Sequence, residues 1–348
     1  MTVRRFDSIR AAESVIRAVE GRGTASQTYV VLRAVERAFW RCAWARLNPV
    51  ALIRACVSGG FRVYAVLDGD QVVLAAPLEH AENGWHFVCG EYVELDYTDA
   101  LYGAYPADVL RSAFELVLKR MREDGIRRIE WRYLSEGSIS NSLIGGMRPS
   151  VAADCENYAI ELKEESFDGY LSTLSGVARH NLRKDLRRAS EKGIRFDFYS
   201  SCGYGPSIDS KVLTESRRIY RRRQAERYGH RGPIVAWYFA ALNYISLSIP
   251  GDRGYLAVLR IGGRIAATME GYVNRSRRAL EMPRLSMDSS FSEYGPGRLL
   301  VAECVRWMLA GTDLRILDLC RGDERYKREL GGRRYLTRCV ALELGGGT

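Results

Sequence analysis

The feature that most restricts how this chain can fold is a pattern written twice along it. Ala65-Val66-Leu67, a turn through Gly69 and the apolar run Val72 to Ala76 return later as Ala257-Val258-Leu259, a Gly262-Gly263 turn and Ile265 to Thr268. Each copy reads as a β-hairpin, two β-rich runs joined through glycine. At the same offset Asp96 meets Asp288 and Tyr102-Gly103 meets Tyr294-Gly295. A short deletion then aligns two amphipathic helices, Ala107 to Glu123 and Arg298 to Ala310, and a further deletion aligns the strands Arg128 to Tyr133 and Leu314 to Leu319, setting Glu130 against Asp318. A duplicated order of hairpin, strand, helix and strand predicts an α/β (α+β) chain with two similar mixed sheets, each flanked by helices.

The length of 348 residues exceeds what one core usually serves and fits two domains. The join is expected near Val151 to Glu156, giving a first domain over 1–155 and a second over 156–348. A helical insertion, at about 167–250, precedes the second copy. Within it Leu171, Leu174, Ala178, Leu182 and Leu186 fall at three- and four-residue steps from Phe167 to Gly193, and Ile208 to Gly229 continues the pattern. The uncharged stretch Pro233 to Gly251 is bracketed by prolines and broken by Asn243, Ser246 and Ser248, which makes it a buried helix and not a membrane span.

The start of the chain is charged and has no signal-peptide apolar core, so a cytoplasmic location is expected. Eight cysteines are scattered singly, with no C-x-x-C pair and no histidine at a ligand spacing, so no metal site is expected. Cys304 and Cys320 sit in apolar segments and read as small buried hydrophobes. None of the four histidines stands in a recognisable triad order, which argues against a hydrolase built on a nucleophile. The net charge of +10 favours an anionic partner, and the surplus is concentrated between Arg179 and Arg231. Arg179, Arg183 and Arg187 share one helix face, suited to phosphate or carboxylate, or simply a solvated face.

Tyr294-Gly-Pro-Gly297 follows a predicted strand and opens a helix, so its backbone N–H groups can face a phosphate at the positive end of the helix dipole, with Arg298 adding charge. The first copy, Tyr102-Gly-Ala-Tyr-Pro-Ala-Asp108, lacks the second glycine and places Asp108 where phosphate is repelled. The second copy alone is expected to hold a donor, through Tyr294, Gly295, Gly297 and Arg298.

Four motifs, Asp96-Tyr-Thr-Asp99, Ser175-Gly-Val-Ala-Arg-His-Asn-Leu-Arg183, Tyr294-Gly-Pro-Gly-Arg-Leu-Leu300 and Asp318-Leu-Cys-Arg-Gly-Asp-Glu-Arg-Tyr-Lys327, occur in this order. With them the chain, from about Phe39 to Leu342, resembles the tandem-GNAT acyltransferases of the cellulose-associated CelD type, relatives of the Fem aminoacyl transferases. The resemblance implies two GNAT domains, the first degenerate, and transfer of an acyl group to an amine. It implies acyl-CoA or an aminoacyl-tRNA as co-substrate. Lys327, beside Tyr326, takes the place of the Fem lysine that faces the attacked carbonyl. Glu270, in the predicted strand Ile265 to Val273, stands where GNAT enzymes often hold a base, and Asp318 is the alternative. Both also read as ordinary strand carboxylates. Asp96, Tyr97, Asp99, Arg179 and Arg183 are the expected substrate-binding residues.

The leading expectation is an N-acyltransferase acting by direct attack of a small-molecule amine on an acyl-CoA or related thioester. Ser292 stands where the GNAT phosphate loop usually carries Gln or Arg, and with the arginine cluster this favours the runner-up, a Fem-type transferase that uses aminoacyl-tRNA. A non-catalytic module that binds nucleic acid or another anion is the third reading.

Overall fold

The computed structural model describes residues 1–8, 11–20, 61–81, 84–87, 99–200, 203–229, 254–275 and 277–345. The chain divides into two compact units: Met1–Cys155 together with Leu336–Thr348, and Glu156–Tyr335. The division between Cys155 and Glu156 lies where the repeat ends, but the segment after Tyr335 goes with the first unit and not the second.

The first unit runs β1 (Thr2–Phe6), α1 (Glu13–Glu20), β2 (Phe61–Asp68), β3 (Gln71–Ala81), β4 (Gly84–Phe87), β5 (Leu101–Tyr102), α2 (Ala107–Glu123), β6 (Arg128–Ser135) and α3 (Ile139–Ile144). Strand β7 (Ser150–Glu161) then leads into the second unit. That unit continues with α4 (Phe167–Thr173), α5 (Gly176–Glu191), β8 (Ile194–Ser200), α6 (Ser210–Tyr228), β9 (Gly254–Ile261), β10 (Arg264–Asn274) and β11 (Ala279–Met287). It closes with α7 (Pro296–Gly311), β12 (Ile316–Arg321) and α8 (Arg325–Glu329), after which β13 (Arg333–Glu343) runs into the first unit.

The duplication is present in the hydrogen bonding. In the first unit β1 pairs antiparallel with β2, β2 with β3 and β3 with β4. Strand β4 then pairs parallel with β6, and β6 antiparallel with β13. In the second unit β8, β9, β10 and β11 pair antiparallel in turn, β11 pairs parallel with β12, and β12 antiparallel with β7. Ala65 to Leu67 therefore occupy the second strand of one sheet as Ala257 to Leu259 do of the other. Glu130 faces His86 across the parallel pair, and Asp318 faces Glu281 across the equivalent pair.

Both parallel pairs are crossed by a helix, as parallel strands require. In α2 the buried Leu110, Ala113, Phe114, Val117, Leu118 and Met121 recur at three- and four-residue steps. They pack in a core with Trp131, on which Phe87 stacks at a centroid distance of 4.6 Å. Helix α7 is buried along nearly its whole length, through Leu299, Leu300, Val301, Cys304, Val305 and Met308, in the core of the second unit.

The insertion expected to be helical contains a strand. Phe196 and Phe198 alternate with Arg195 and Asp197 in β8, a period of two that pairs with β9 and that the helical reading of the insertion overlooked. The helix expected from Phe167 to Gly193 is broken at Leu174, whose extended backbone ends α4, and Ser175 caps α5 by accepting from the Ala178 N–H. Pro233 to Gly251 lies outside the described residues. No helix among the described residues is long and apolar enough to cross a membrane, and no group of side chains among them is arranged to hold a metal ion.

Candidate active site

The expected catalytic and donor residues lie in the second unit: Glu270 on β10, Asp318 on β12, Tyr294 to Arg298 between β11 and the start of α7, and Tyr326 and Lys327 on α8. Strand β11 pairs with β12 only from Ala279–Ile316 to Glu281–Asp318, and then runs on to Met287 unpaired with it. Asp288 closes the strand by accepting from both the backbone N–H and the hydroxyl of Ser290, at 3.0 and 2.8 Å. A short 3₁₀ helix, Ser289–Tyr294, follows, and Gly295 reverses the chain in the left-handed region at φ 59°. Pro296 is the first helical residue of α7, where its missing N–H is no loss.

Gly297 sits in the first turn against the end of β11. A Cβ there would lie 2.7 Å from Met287 Sδ, so the glycine is what lets the helix N-terminus approach the strand. The first turn of α7 holds no acid. Arg298 points into this region, but it is already paired: its guanidinium meets Asp185 Oδ2 of α5 and lies 3.9 Å from Glu329. The Asp185 carboxylate also stands 3.5 Å from where a Gly295 side chain would begin. A buried carboxylate thus shares the helix N-terminus with the arginine expected to bind phosphate. Arg188, one turn along α5, bonds the Glu293 carbonyl at 3.3 Å and lies 5.6 Å from the Tyr294 ring.

The equivalent loop of the first unit is built differently. Tyr102 lies in β5, paired to β3, the Gly103 N–H is given to the Val73 carbonyl, and α2 starts after Pro106 with Asp108 in its first turn. Its dipole end is already matched by an acid.

The two candidate bases are in different situations. Asp318 is fully buried and accepts the Tyr335 hydroxyl on both oxygens, at 2.8 and 2.9 Å, and the Cys320 N–H at 3.0 Å. Arg277 adds an ion pair at 3.2 Å and also reaches Glu281 at 3.3 Å, where Asn274 donates as well. Its oxygens are committed to holding the end of the parallel pair. Glu270 is buried too, on β10 opposite Arg284 of β11, and accepts the Ser216 hydroxyl of α6 at 2.7 Å. Burial pushes its carboxyl above the ordinary range, while the Ser216 hydrogen bond and the Arg284 and Arg217 charges pull it back.

The Lys327 ammonium is held by the loop on which it stands. It is buried and donates to the carbonyls of Cys320 at 3.1 Å, of Arg321, and of Gly322 at 3.3 Å, with Glu324 Oε2 at 3.0 Å. An ammonium has three protons, and the three carbonyls and the Glu324 carboxylate share them. This fastens the turn after β12, where Cys320 adopts a left-handed backbone at φ 57°. Tyr326 packs beside the main core, where burial, followed by the Glu324 charge, pushes its phenol pKa up. Burial likewise pushes up the thiol of Cys304, in keeping with a buried hydrophobe and not a nucleophile.

Of the expected substrate residues, Arg179 and Arg183 lie on α5, Arg179 half-buried with a bond to the Ser172 carbonyl at 3.3 Å and Arg183 exposed. Asp96 and Tyr97 lie outside the described residues. Asp99 belongs to the first unit, where it is buried and accepts the Ala100 N–H at 2.8 Å. Burial pushes its pKa up to about 7 against hydrogen bonds from Ser140, Ala100 and Ser138. Ser216, Arg284, Asp185, Arg277 and Tyr335 were not anticipated; of these only Arg284 carried a signal, as a charge within the strand Ala279–Met287.

The family model for the acetyltransferase (GNAT) domain matches residues 176–328, inside the second unit. No curated protein matches the chain. Among solved structures, a conserved protein of unknown function from Bacteroides thetaiotaomicron VPI-5482 is similar at 10% identity, with a TM-score of 0.57 over 98% of this chain and 100% of that one. FemX is similar at 11% identity and a TM-score of 0.49, over 80% of this chain and 87% of that one. A tandem GNAT protein from the clavulanic acid biosynthesis pathway gives 11% identity and a TM-score of 0.43 over 100% of both chains. At 10% identity the likeness to the Bacteroides protein is one of fold. The chain has a tandem GNAT-like fold, with a GNAT acetyltransferase domain match over residues 176–328.

Proposed function

We propose that the second unit is an N-acyltransferase of the CelD type, moving an acyl group from an acyl-CoA or related thioester to a small-molecule amine. The observation that carries this reading is the asymmetry of the duplication. Both units have the same sheet order, but the crossover helix of the second opens with Gly-Pro-Gly and no acid in its first turn, whereas that of the first starts after Pro106 with Asp108 there. The donor's phosphates lie at Tyr294 to Arg298, with Arg298 turning from Asp185 to the ligand. The acceptor nitrogen attacks the thioester carbonyl, the C–N bond forms, and the C–S bond breaks as thiolate leaves. Glu270 takes the amine proton, since Asp318 has its oxygens committed. Arg179 and Arg183 serve the anionic part of a substrate.

Titration calorimetry with coenzyme A and acetyl-CoA tests this. Binding is expected in the native protein, lost in Gly297→Val and kept in Gly103→Ala; the reverse pattern would place the donor in the first unit. A second reading, a Fem-type transferase using aminoacyl-tRNA, is favoured by the exposed arginines of α5 and α6, among them Arg183, Arg187, Arg218 and Arg221. Steeply salt-dependent binding of bulk tRNA, with no binding of coenzyme A, would select it. The same salt dependence with no turnover of any donor would select a non-catalytic anion-binding module.

A further inference from the structure

Glu270 is held by groups from three elements. On its own strand, β10, the register is irregular between Glu270 and Tyr272, so the chain bulges at the carboxylate. Across β11 its partner is Arg284, buried at 7% exposure, which also interacts with Tyr272 and Tyr220. From α6 come Ser216, fully buried at 0% exposure, and Arg217. Its partner on β9 is Leu256, which is apolar. A serine in the middle of a helix usually turns its hydroxyl back to the preceding turn. Ser216 instead sends it 2.7 Å to Glu270 Oε1, across the gap between helix and sheet. Nothing in the packing of α6 calls for a hydroxyl there, because its neighbours on the buried face are Ile219 and Tyr220.

We propose that Ser216 is the positioning residue of the acyl-transfer site: its hydroxyl, donated to one oxygen, fixes the Glu270 carboxylate in one orientation to take the proton of the acceptor amine. This rests on the reading of Glu270 as the proton acceptor. The division of labour follows from the chemistry. Arg284 and Arg217 favour the carboxylate by charge without aiming it, whereas a single short hydrogen bond to one oxygen aims it and leaves the other oxygen for the substrate. Burial already raises the Glu270 carboxyl and a hydrogen bond to the charged form opposes it, so loss of that bond moves the titration further up.

The test is the titration of Glu270 itself, followed by carbon NMR in protein carrying ¹³C-carboxyl glutamate, with its resonance assigned by its loss in Glu270→Gln. Ser216→Ala is expected to move the midpoint up by about one unit, since a hydrogen bond to a charged group of this kind is equivalent to a shift of that order. Ser216→Thr, which keeps the hydroxyl, is expected to return the midpoint towards the native value, and Ser216→Cys, a weaker donor, to fall between. If Ser216→Ala does not fold, the Thr and Cys variants carry the comparison. An unchanged midpoint in a folded Ala variant, or equal midpoints for Thr and Cys, overturns the proposal. Failure of the acyl-transfer reading shows elsewhere: coenzyme A binding is then absent while the Ser216 shift remains.

Discussion

Replacing Lys327 by Met separates two roles for that side chain. Methionine fills the same volume but donates nothing, so the Cys320, Arg321 and Gly322 carbonyls lose their shared donor in a site where Lys327 is 2% exposed. A hydrogen bond of this kind contributes about 1 kcal/mol net, so three lost together give about 3 kcal/mol. The Glu324 pair adds little, because that carboxylate is 58% exposed. For a unit of this size each kcal/mol lowers the midpoint by about 2–4 °C, so Lys327→Met is expected to melt about 6–12 °C early by circular dichroism. Lys327→Arg does not restore the loss, since a planar guanidinium does not satisfy three carbonyls converging on one point. Under this reasoning the variant binds coenzyme A normally when folded. A Met variant with native stability, native donor affinity and acyl transfer slowed by 10² or more would refute it, and would place the ammonium on the thioester carbonyl as the Fem resemblance implies.

Asp185→Asn removes the negative charge beside the α7 N-terminus and frees Arg298, so coenzyme A is expected to bind about two- to fivefold more tightly by calorimetry; weaker binding would mean that the pair presents Arg298 to the ligand. In the first unit, Asp99 has its pKa raised from 3.8 to about 7. Its protonated form is favoured by folding, so it contributes no penalty below about pH 4, costs stability as pH rises from about 4 to 7, and carries the full cost above pH 7. Asp99→Asn is therefore expected to raise the melting temperature above pH 7 and to leave it nearly unchanged at pH 4; a gain that does not vary with pH would remove ionisation as the cause.

What the sequence made legible was what repeats. The hairpins, the crossover helices and the strands that carry Glu130 and Asp318 recur at matched positions, and their periods of 2 and 3.6 mark strand and helix directly. The strand β8 was missed because its apolar face rests on only three residues, Ile194, Phe196 and Phe198, between long helical patterns. The site was legible as residue types and not as partners. That Glu270 answers to Ser216, and Arg298 to Asp185, depends on contacts between elements far apart in the chain, and local periodicity carries no such information. Lys327 shows the same limit: its spacing to Cys320 and Gly322 is readable, but whether an ammonium turns back to its own loop or outward to a ligand is decided by packing.

The exchange of the last strand has a consequence for how the molecule is made. The sheet of the first unit is completed by β13, which lies after the whole second unit in the chain. Domains usually fold in the order in which the ribosome delivers them. Here the unit that emerges first must wait, with the hydrogen-bonding edge of β6 uncovered, until the whole second unit has been synthesised. The second unit takes its closing strand, β7, from residues already made and can finish first. A stalled or truncated nascent chain would therefore strand an incomplete first unit beside a finished second one, and a gene cut at the repeat boundary would not yield two self-sufficient halves.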